Sequence, residues 1–527
     1  MHEITQELLL KMKALQAHLR NLAQKNEESL YLQYVSTHGD EWLEWAKSAV
    51  LAPMPELENE LQDLLKASGE EDYLFRLFLN SFLLHITLNG QYADTICKMV
   101  YDTPFTKDHR LFVFNQMKRF FLMHAGVEKT PAVQKLYDDV VIEWKEQLRP
   151  VLVPVSEQDR EKNKIVVITL QFLGSGHAPT KTAMERIRTI GKLLGKEIVC
   201  INSKEQYTLR GTLPMHDIVA RSVVKEYDGV NIMAHEDYSF PLIQPEVEMP
   251  DTEMMQMLLE EIRNMAPWMV VVCGDRCLLG DLCAEIIPTI CIPMTFSTIP
   301  RKEHEFVAVG RSISDVEREQ LVQKGYDLDS IIESVFTFEV IPQTTTLTRE
   351  ELGLPEDRFL LGIIGIRLDA EIQPDFLQML LSCTDAGIHL VFAGKFETYG
   401  HLCETVDGLK EHSSFVGYQK DILALWDVLD LYINPPRVGG GFSVAEAFCK
   451  GKPGISMNWG DVAASAGPDF CVESLDEYPE LIRRYVSDKA FYQEMSDKAV
   501  NRSKRLFDSK GEMEKILQEA EKRKLWF

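Results

Sequence analysis

A glycine-rich segment near the C-terminal end of the chain has the residue types and spacing of an anion site. Gly439–Gly441 follow an apolar run at 431–433 that predicts a buried strand, and a predicted helix at 444–450 comes directly after them. Because the first N–H groups of a helix are free and its dipole favours negative charge, the segment predicts a phosphate-binding loop. Ser443 is expected to cap the helix, and Glu446 to accept hydrogen bonds from sugar hydroxyls beside the phosphate. An ordinary strand-to-helix connection is the alternative for the glycines taken alone.

The residues around this loop extend the pattern well beyond the glycines. The segments 415–418 and 425–430, with Asp421 between them, precede the loop at characteristic distances. Together with the loop they resemble the nucleotide-sugar half of GT-B glycosyltransferases, family 4 in particular. The resemblance implies that residues 439–443 cradle a diphosphate and that Glu446 binds the ribose of the nucleotide. The implied donor-binding residues are Tyr418, Arg437, Gly439, Gly440, Gly441, Phe442, Ser443 and Glu446.

One position departs from the family 4 pattern. Family 4 enzymes carry a second glutamate eight positions before the ribose-binding one, and this chain has Val438 there. Since that glutamate normally touches the transferred sugar, a retaining family 4 mechanism is not expected. Inversion by direct displacement is favoured instead.

Two basic residues follow predicted strands of the same half. Arg367 comes after the apolar run 360–366 and matches the "G-R-L" with which family 4 enzymes close this strand. In that family the arginine and a lysine shortly after it neutralise the diphosphate. Residues 369–373 contain no lysine, so Lys395, which follows the predicted strand 389–393, is the expected substitute. Ligands in doubly wound sheets bind at the carboxyl edge, where both cations are expected.

A second glycine-containing turn lies earlier in the chain. The apolar run 165–170, a turn with Gly174 and Gly176, and a predicted helix at 181–194 form the start of a βαβ unit. A Rossmann dinucleotide site is an alternative, although the G-x-G-x-x-G pattern is not completed. The turn resembles the corresponding turn in the bacterial branch of glycosyltransferase family 41. The members of this branch are protein glucosyltransferases. His177 matches the first histidine of that turn.

The family 41 resemblance has further implications. Its bacterial members carry an all-α domain before the GT-B core, and residues 1–148 of this chain have helical patterns throughout. They also lack the second family 4 glutamate, in agreement with Val438. The second histidine of the family turn is Thr182 here, so its role is not transferred. His177 is the expected catalytic base, with a purely structural first-turn histidine as the alternative.

A polar loop follows the predicted strand 288–293. The resemblance puts this loop at the carboxyl edge of the first half, facing the cleft. His304 and Glu305 are therefore predicted to contact the acceptor, together with Gly176. A solvated polar loop is the alternative.

Two groupings could suggest metal ligands. Asp327 and Asp329 form a D-x-D, the pair with which GT-A transferases hold Mn²⁺, but a predicted helix start at 330 makes them capping residues instead. Four cysteines lie between positions 273 and 291, where apolar runs favour buried thiols. We therefore predict no metal site.

Composition limits the classes of partner. The net charge of −25 argues against nucleic acid and anionic membranes, and no apolar run approaches the ~18 residues of a membrane span. The N-terminus shows no signal-peptide pattern, and ten scattered cysteines suit a reducing cytoplasm.

The predicted architecture is α/β: a GT-B fold, with two Rossmann-like halves facing a cleft, preceded by an all-α domain. The predicted segments are an all-α accessory domain at 1–148 that helps to present the acceptor, a linker at 149–163, an acceptor-side half at 164–342, a donor-side half at 343–510, and a C-terminal helix crossing back at 511–527.

The predicted function is glycosyl transfer. We expect a bacterial, cytoplasmic enzyme that moves a sugar from a UDP-sugar, UDP-glucose or UDP-N-acetylglucosamine, to a protein or peptide acceptor. We also expect the reaction to invert the anomeric configuration and to need no metal or cofactor. A homo-oligomer is possible. A polysaccharide glycosyltransferase and an inactive GT-B protein that binds an acceptor are the alternatives.

Overall fold

The computed structural model describes residues 2–25, 55–101, 107–124, 127, 131–174, 177–205, 223–296, 298–301 and 304–523. Within them, a helical region is followed by two α/β halves, each built on its own sheet. None of the described helices combines the length and the apolar character that a membrane span requires. All ten cysteines lie in described segments, and none forms a disulfide.

The helical region buries apolar side chains at helical spacing. In its first helix, α1 (His2–Lys25), Leu8, Met12, Leu15 and Leu19 recur every three or four residues and are at most 2% exposed. Such a stripe packs one face of a helix on its neighbours. The all-α prediction is therefore confirmed for the described residues. The other helices here are α2 Pro55–Ala67, α3 Tyr73–Thr87, α4 Gly90–Met99, α5 Lys107–Met123 and α6 Pro131–Leu148.

The first α/β half is built on an eight-stranded sheet. Its strands are β1 Glu161–Thr169, β2 Glu197–Asn202, β3 Ile232–His235, β4 Tyr238–Ile243, β5 Pro267–Cys273, β6 Thr289–Ile292, β7 Phe306–Val309 and β8 Ile331–Glu333. Their order is β3-β4-β2-β1-β5-β6-β7-β8, and the described pairs are parallel except for β3 with β4. Its helices are α7 Ala178–Arg188, continued by a π-helical turn Thr189–Leu193, then α8 Thr252–Met265, α9 Leu278–Cys283 and α10 Asp315–Gln323.

The second half is built on a parallel six-stranded sheet. Its strands are β9 Phe359–Gly365, β10 Ile388–Gly394, β11 Ser413–Phe415, β12 Leu431–Ile433, β13 Gly454–Met457 and β14 Cys471–Val472, in the order β11-β10-β9-β12-β13-β14. Its helices are α11 Leu368–Glu371, α12 Pro374–Leu381, α13 Tyr399–Thr405, α14 Leu409–His412, α15 Ile422–Val428, α16 Gly441–Cys449, α17 Gly460–Ala466, α18 Tyr478–Ser487, α19 Lys489–Leu506 and α20 Ser509–Arg523.

The first sheet is covered on both faces. Along β1, Val166 and Ile168 belong to one apolar core that also contains the helical region, whereas Ile165 and Val167 belong to a second core on the opposite face. Successive residues of a strand point to opposite faces of the sheet. When both faces are covered, the strand sequence is therefore an unbroken run of apolar residues. The helical region therefore shares its core with the first half.

The last helix, α20, returns to the first half. The Ser334 hydroxyl donates to Glu512 Oε2 over 2.8 Å, and Arg523 Nη1 donates to the Ile331 carbonyl over 2.7 Å. The helix thus packs beside β8, at the edge of the first sheet.

The structure differs from the sequence-based expectation around Asp327. The predicted helix start at 330 is instead a short turn, Leu328–Ser330, followed by β8. Asp327 Oδ1 accepts the Asp329 N–H over 2.9 Å, so the capping role itself is present. The β-branched pair of isoleucines that opens β8 favours a strand over a helix.

Candidate active site

The glycine loop lies at the carboxyl edge of the second sheet, between β12 and α16. The helix begins at Gly441 and is capped by Gly440, whose φ of 110° suits glycine and strains other residues. Ser443, predicted as the cap, lies in the first turn instead, and its N–H donates to the Gly440 carbonyl over 3.0 Å. The loop therefore presents the N-terminus of a nine-residue helix at the edge where such sheets bind ligands.

Two arginines beside the loop share one carboxylate. Arg437 is 6% exposed, and its Nη1 donates to Glu371 Oε2 over 2.8 Å. Arg367 Nη2 lies 2.9 Å from Glu371 Oε1, and its side chain is 40% exposed. A Cβ added to Gly439 would lie 3.2 Å from Arg367 Nη2, so this guanidinium lies against the loop. Arg367 is therefore the more accessible cation.

The remaining nitrogens of Arg437 have partners as well. Nε donates to Asn434 Oδ1 over 2.8 Å, and Nη2 donates to Tyr432 Oη over 2.9 Å. Both partners are buried residues of β12 and the turn after it. Direct donor contact by Arg437 stays a prediction, but its engaged nitrogens favour a role in shaping the loop.

Lys395 and Tyr418 lie at the same sheet edge as Arg367. The Lys395 N–H donates to the Gly365 carbonyl over 3.0 Å, which ties the end of β10 to the end of β9. Gly394 allows this approach, because a Cβ there would lie 1.8 Å from that carbonyl oxygen. The Lys395 side chain is exposed, and no described residue pairs with it. Tyr418 is 70% exposed. Both remain available to a ligand, and their predicted roles stay predictions.

Glu446 is a half-buried carboxyl in α16 without a hydrogen-bond partner among the described residues. Burial raises its pKa to about 8, and the nearby charge of Lys181 acts in the opposite direction. A desolvated carboxyl of this kind in a cleft marks a candidate binding residue. Lys181 belongs to α7 of the first half, and no sequence motif links it to Glu446.

His177 caps α7 at the carboxyl end of β1. Its Nδ1 lies 3.0 Å from Thr180 Oγ1, and no described residue bonds to its Nε2. Burial lowers the pKa of His177 below its ordinary value. The ring is thus fixed through one nitrogen, while the other remains available to accept a proton. The companion prediction, Gly176, lies outside the described residues.

His304 and Glu305 do not lie at the cleft edge, and this part of the prediction needs correction. They directly precede β7, in which Phe306 pairs with Ile290 near the start of β6. They are therefore at the amino edge of a parallel sheet, opposite the edge that binds ligands. The connection from β6 to β7 crosses from one edge to the other, so only its beginning faces the cleft.

His304 has structural partners at that amino edge. It is buried, with Nδ1 2.8 Å from Thr289 Oγ1 and Nε2 2.9 Å from Asp281 Oδ1. The predicted acceptor contact does not fit this burial. Burial also raises the pKa of Glu305 to about 6.

The two halves meet around the glycine loop. The rings of Phe338 and Phe442 have centroids 4.3 Å apart, and the Phe296 N–H donates to Asp461 Oδ1 over 2.7 Å. Phe296 follows β6, so this contact joins the carboxyl edge of the first sheet to α17 of the second half. The glycine loop is therefore part of the boundary between the halves. Among the described residues, no three His, Cys, Asp or Glu side chains group as metal ligands.

No protein-family model matches the sequence, and no curated protein matches it. Among solved structures, the chain is similar to a mutant O-GlcNAc transferase from Thermobaculum terrenum, at 11% identity and a TM-score of 0.53, over 94% of this chain and 98% of that one. A glycosyltransferase from Rickettsia africae matches at 14% identity and a TM-score of 0.49, over 69% and 99%. HepE from Anabaena in complex with UDP matches at 13% identity and a TM-score of 0.47, over 68% and 100%. At these identities the likeness concerns the fold. The chain has the GT-B fold, two Rossmann-like halves behind an N-terminal helical region.

Proposed function

We propose that this protein is a glycosyltransferase that moves a sugar from a UDP-sugar to a protein or peptide acceptor. One observation carries the proposal: a glycine loop at the N-terminus of α16 lies against Arg367, one turn before Glu446, which has no hydrogen-bond partner in the part of the chain that the structure describes. This set offers donors for a diphosphate and an acceptor for ribose hydroxyls. UDP-glucose and UDP-N-acetylglucosamine are the expected donors, in line with the sequence resemblance.

Catalysis requires stabilisation of the leaving diphosphate. As the bond between the anomeric carbon and the phosphate oxygen breaks, negative charge grows on the departing oxygen. Fixed donors aimed at such charge usually supply the largest share of the rate enhancement. In our proposal these donors are the N–H groups at the start of α16, the Arg367 guanidinium and the Lys395 ammonium.

We propose inversion by direct displacement. The acceptor nucleophile attacks the anomeric carbon from the face opposite the diphosphate, and its proton passes to a base. His177 is the candidate, because its Nδ1 is held by Thr180 while its lowered pKa keeps the ring neutral at neutral pH. Nε2 would then accept the proton.

We propose that no metal is needed. Cations and a helix terminus lie at the loop, and the Asp327 carboxylate caps a turn by accepting the Asp329 N–H. Activity should accordingly survive EDTA. A complete loss that Mn²⁺ restores would overturn this part of the proposal.

The decisive experiment tests the donor site directly. Saturating UDP should raise the melting temperature of the full chain, because a ligand that binds only the folded state stabilises it. Titration calorimetry should show matching heat. Tritiated nucleotide sugars, supplied one at a time without an acceptor, should then identify the donor by its hydrolysis. If UDP produces neither a shift nor heat, the loop is not a donor site.

A further inference from the structure

Asp461 makes hydrogen bonds in two directions from the first turn of α17. Its Oδ1 accepts the Phe296 N–H of the first half over 2.7 Å, and its own N–H donates to the Val438 carbonyl over 2.6 Å. The residue is 6% exposed. Because Val438 directly precedes the glycine loop, one buried residue joins this loop to the first half.

The start of α17 packs directly on the backbone that leads into the loop. A Cβ added to Gly460, whose φ is 81°, would lie 2.7 Å from the Arg437 carbonyl oxygen and 2.9 Å from the Val438 carbonyl oxygen. No side chain therefore separates the two segments at this point. Because close-packed interiors transmit displacements, a movement of α17 would move the residues before the loop.

Two rings of the first half lie against the start of α16. A Cβ added to Gly441 would lie 3.2 Å from Phe296 Cε2 and 3.2 Å from Phe338 Cζ. The centroids of these two rings are 5.3 Å apart. A glycine lets the start of the helix approach the rings this closely. Phe296 therefore contacts the second half through its ring as well as through its N–H.

The segment that carries Phe296 is in turn held by α7. Arg186 Nη1 donates to the Ile292 carbonyl and Arg186 Nη2 to the Pro293 carbonyl, each over 3.2 Å, and Arg186 is 6% exposed. These carbonyls lie at the end of β6 and directly after it. Since His177 caps α7, a continuous series of contacts runs from the candidate base through Phe296 to the glycine loop.

This series of contacts bears on the proposed reaction. The base and the leaving diphosphate must be held in a fixed relation, because reacting atoms have to come within about 3–3.5 Å of each other. We propose that Asp461 is a positioning residue, whose carboxylate holds the glycine loop in its phosphate-binding shape by fixing α17 to the first half. This inference rests on the proposed donor site.

Calorimetry on the full chain tests the role of Asp461. Asp461→Ala removes the acceptor of the Phe296 N–H, so the loop loses this connection to the first half. UDP affinity should fall about tenfold, the lower end of what a hydrogen bond to a charged group contributes. Uridine, which has no phosphate, should bind the variant and the wild type equally. Asp461→Asn keeps an acceptor oxygen and should recover most of the UDP affinity.

Hydrogen exchange on the ligand-free chain reports on the loop itself. The amides of residues 443 and 461 donate to the carbonyls of Gly440 and Val438. They should exchange faster in Asp461→Ala than in the wild type, and at nearly the wild-type rate in Asp461→Asn. Asp476→Ala serves as the control, because it removes an exposed carboxyl from the same half and should change neither the exchange nor the UDP affinity.

The outcomes separate this inference from the proposed donor site. If the wild type binds UDP and folded Asp461→Ala binds it equally well, Asp461 does not position the loop, although the donor site stands. Equal losses of UDP and uridine affinity would also overturn the assignment, because they would indicate a general structural role. Unchanged exchange at residues 443 and 461 would overturn it as well, since the loop would then be held without the carboxylate. If the wild type does not bind UDP, the donor site is wrong and this inference falls with it.

Discussion

At the scale of single residues, Arg367 and Arg437 share the Glu371 carboxylate but differ in what remains free. Arg437 uses all three nitrogens on buried partners, whereas Arg367 Nε and Nη2 both bond to Glu371 Oε1. No described residue bonds to Arg367 Nη1, and the side chain is accessible. A rigid inner arginine and an open outer one fit a site whose shape is fixed before the ligand arrives. We therefore propose that Arg367, rather than Arg437, contacts the phosphates.

Kinetics should separate the roles of Arg367 and Glu446. Charge builds on the diphosphate as the bond breaks, so Arg367→Ala should lower kcat by roughly 10²–10³-fold, like the loss of an oxyanion donor. Ribose hydroxyls do not change during the reaction, so Glu446→Gln should mainly raise the donor KM, by about tenfold or more. Steady-state rates against donor concentration distinguish the two effects. Abolished turnover with normal nucleotide affinity in Glu446→Gln would make Glu446 a catalytic group.

The ligand-free Glu446→Gln variant should also gain stability over the wild type as pH rises. Burial raises the pKa of Glu446 from 4.5 to about 8. Ionising this carboxyl is therefore harder in the folded than in the unfolded chain, and the wild type loses stability as pH rises through that window. We expect equal melting temperatures near pH 4 and a higher one for the variant at about pH 8.5.

Glu411→Gln is the control for this pH experiment. It removes an exposed carboxyl from the same half and should melt like the wild type at both pH values. A Glu446→Gln variant that melts below the wild type at about pH 8.5 would show that the carboxylate is stabilised in the folded protein, against our assignment.

At the scale of elements, the glycine cap of α16 should be sensitive to a single methyl group. Gly440 has φ 110°, and an added Cβ would lie 2.7 Å from Arg437 Nε. Gly440→Ala should therefore distort the loop and weaken UDP binding measured by calorimetry.

Gly400→Ala is the matched control. Gly400 lies in helix α13, and a Cβ added there meets nothing within 4 Å. This variant should leave UDP affinity unchanged and stabilise the fold by about 0.5–1 kcal/mol. Equal UDP affinity in both variants would mean that the loop does not hold the diphosphate.

The sequence predicts the central elements because each carries a local signal. The strands β1, β5, β9 and β12 are short apolar runs between turn residues, and the glycine loop follows one of them directly. Local patterns do not show at which edge of the sheet a loop residue lies, because a long connection runs from one edge to the other. His304 and Glu305 were expected at the cleft because their loop starts there, but a loop between parallel strands must end at the opposite edge.

Contacts between distant segments carry no local signal either. The ring contact between Phe338 and Phe442 joins the two halves, and neither residue stands in a motif that indicates the other. The contact between Phe296 and Asp461 is of the same kind. Which side chains of the first half face the glycine loop was therefore not predictable from the sequence.

At the scale of the whole molecule, the helical region and the first half behave as one packed body. Their apolar side chains form a single core, and helix α6 is joined to α9 by the Tyr137 hydroxyl, which donates to Asp281 Oδ2 over 2.8 Å. Removing residues 1–148 would expose one face of the first sheet to water. A test of the helical region therefore calls for a point substitution rather than a truncation.

Asp281 provides that substitution, because it joins three elements at the buried interface. Although burial raises its pKa, contacts with His304, Arg301 and Tyr137 lower it below the ordinary value, so the carboxyl is ionised. Arg301 Nη1 lies 3.3 Å from Asp281 Oδ2 and is itself buried. Asp281→Asn removes the buried countercharge of that guanidinium and leaves it the more exposed Asp138, whose Oδ1 lies 3.2 Å from Arg301 Nη2. The free energy of unfolding should therefore fall by about 3 kcal/mol.

Hydrogen exchange should show where the stability is lost in Asp281→Asn. If the helical region and the first half share one cooperative core, exchange should accelerate in α6 and in β1 and β5 together, while β9 and β10 of the second half stay protected. Asp407→Asn removes an exposed carboxyl from the second half and should alter neither the unfolding free energy nor the exchange pattern. Faster exchange confined to the helices would mean that they unfold independently of the first sheet. In that case the helical region would be a separate domain, and its deletion would become the appropriate test of acceptor binding.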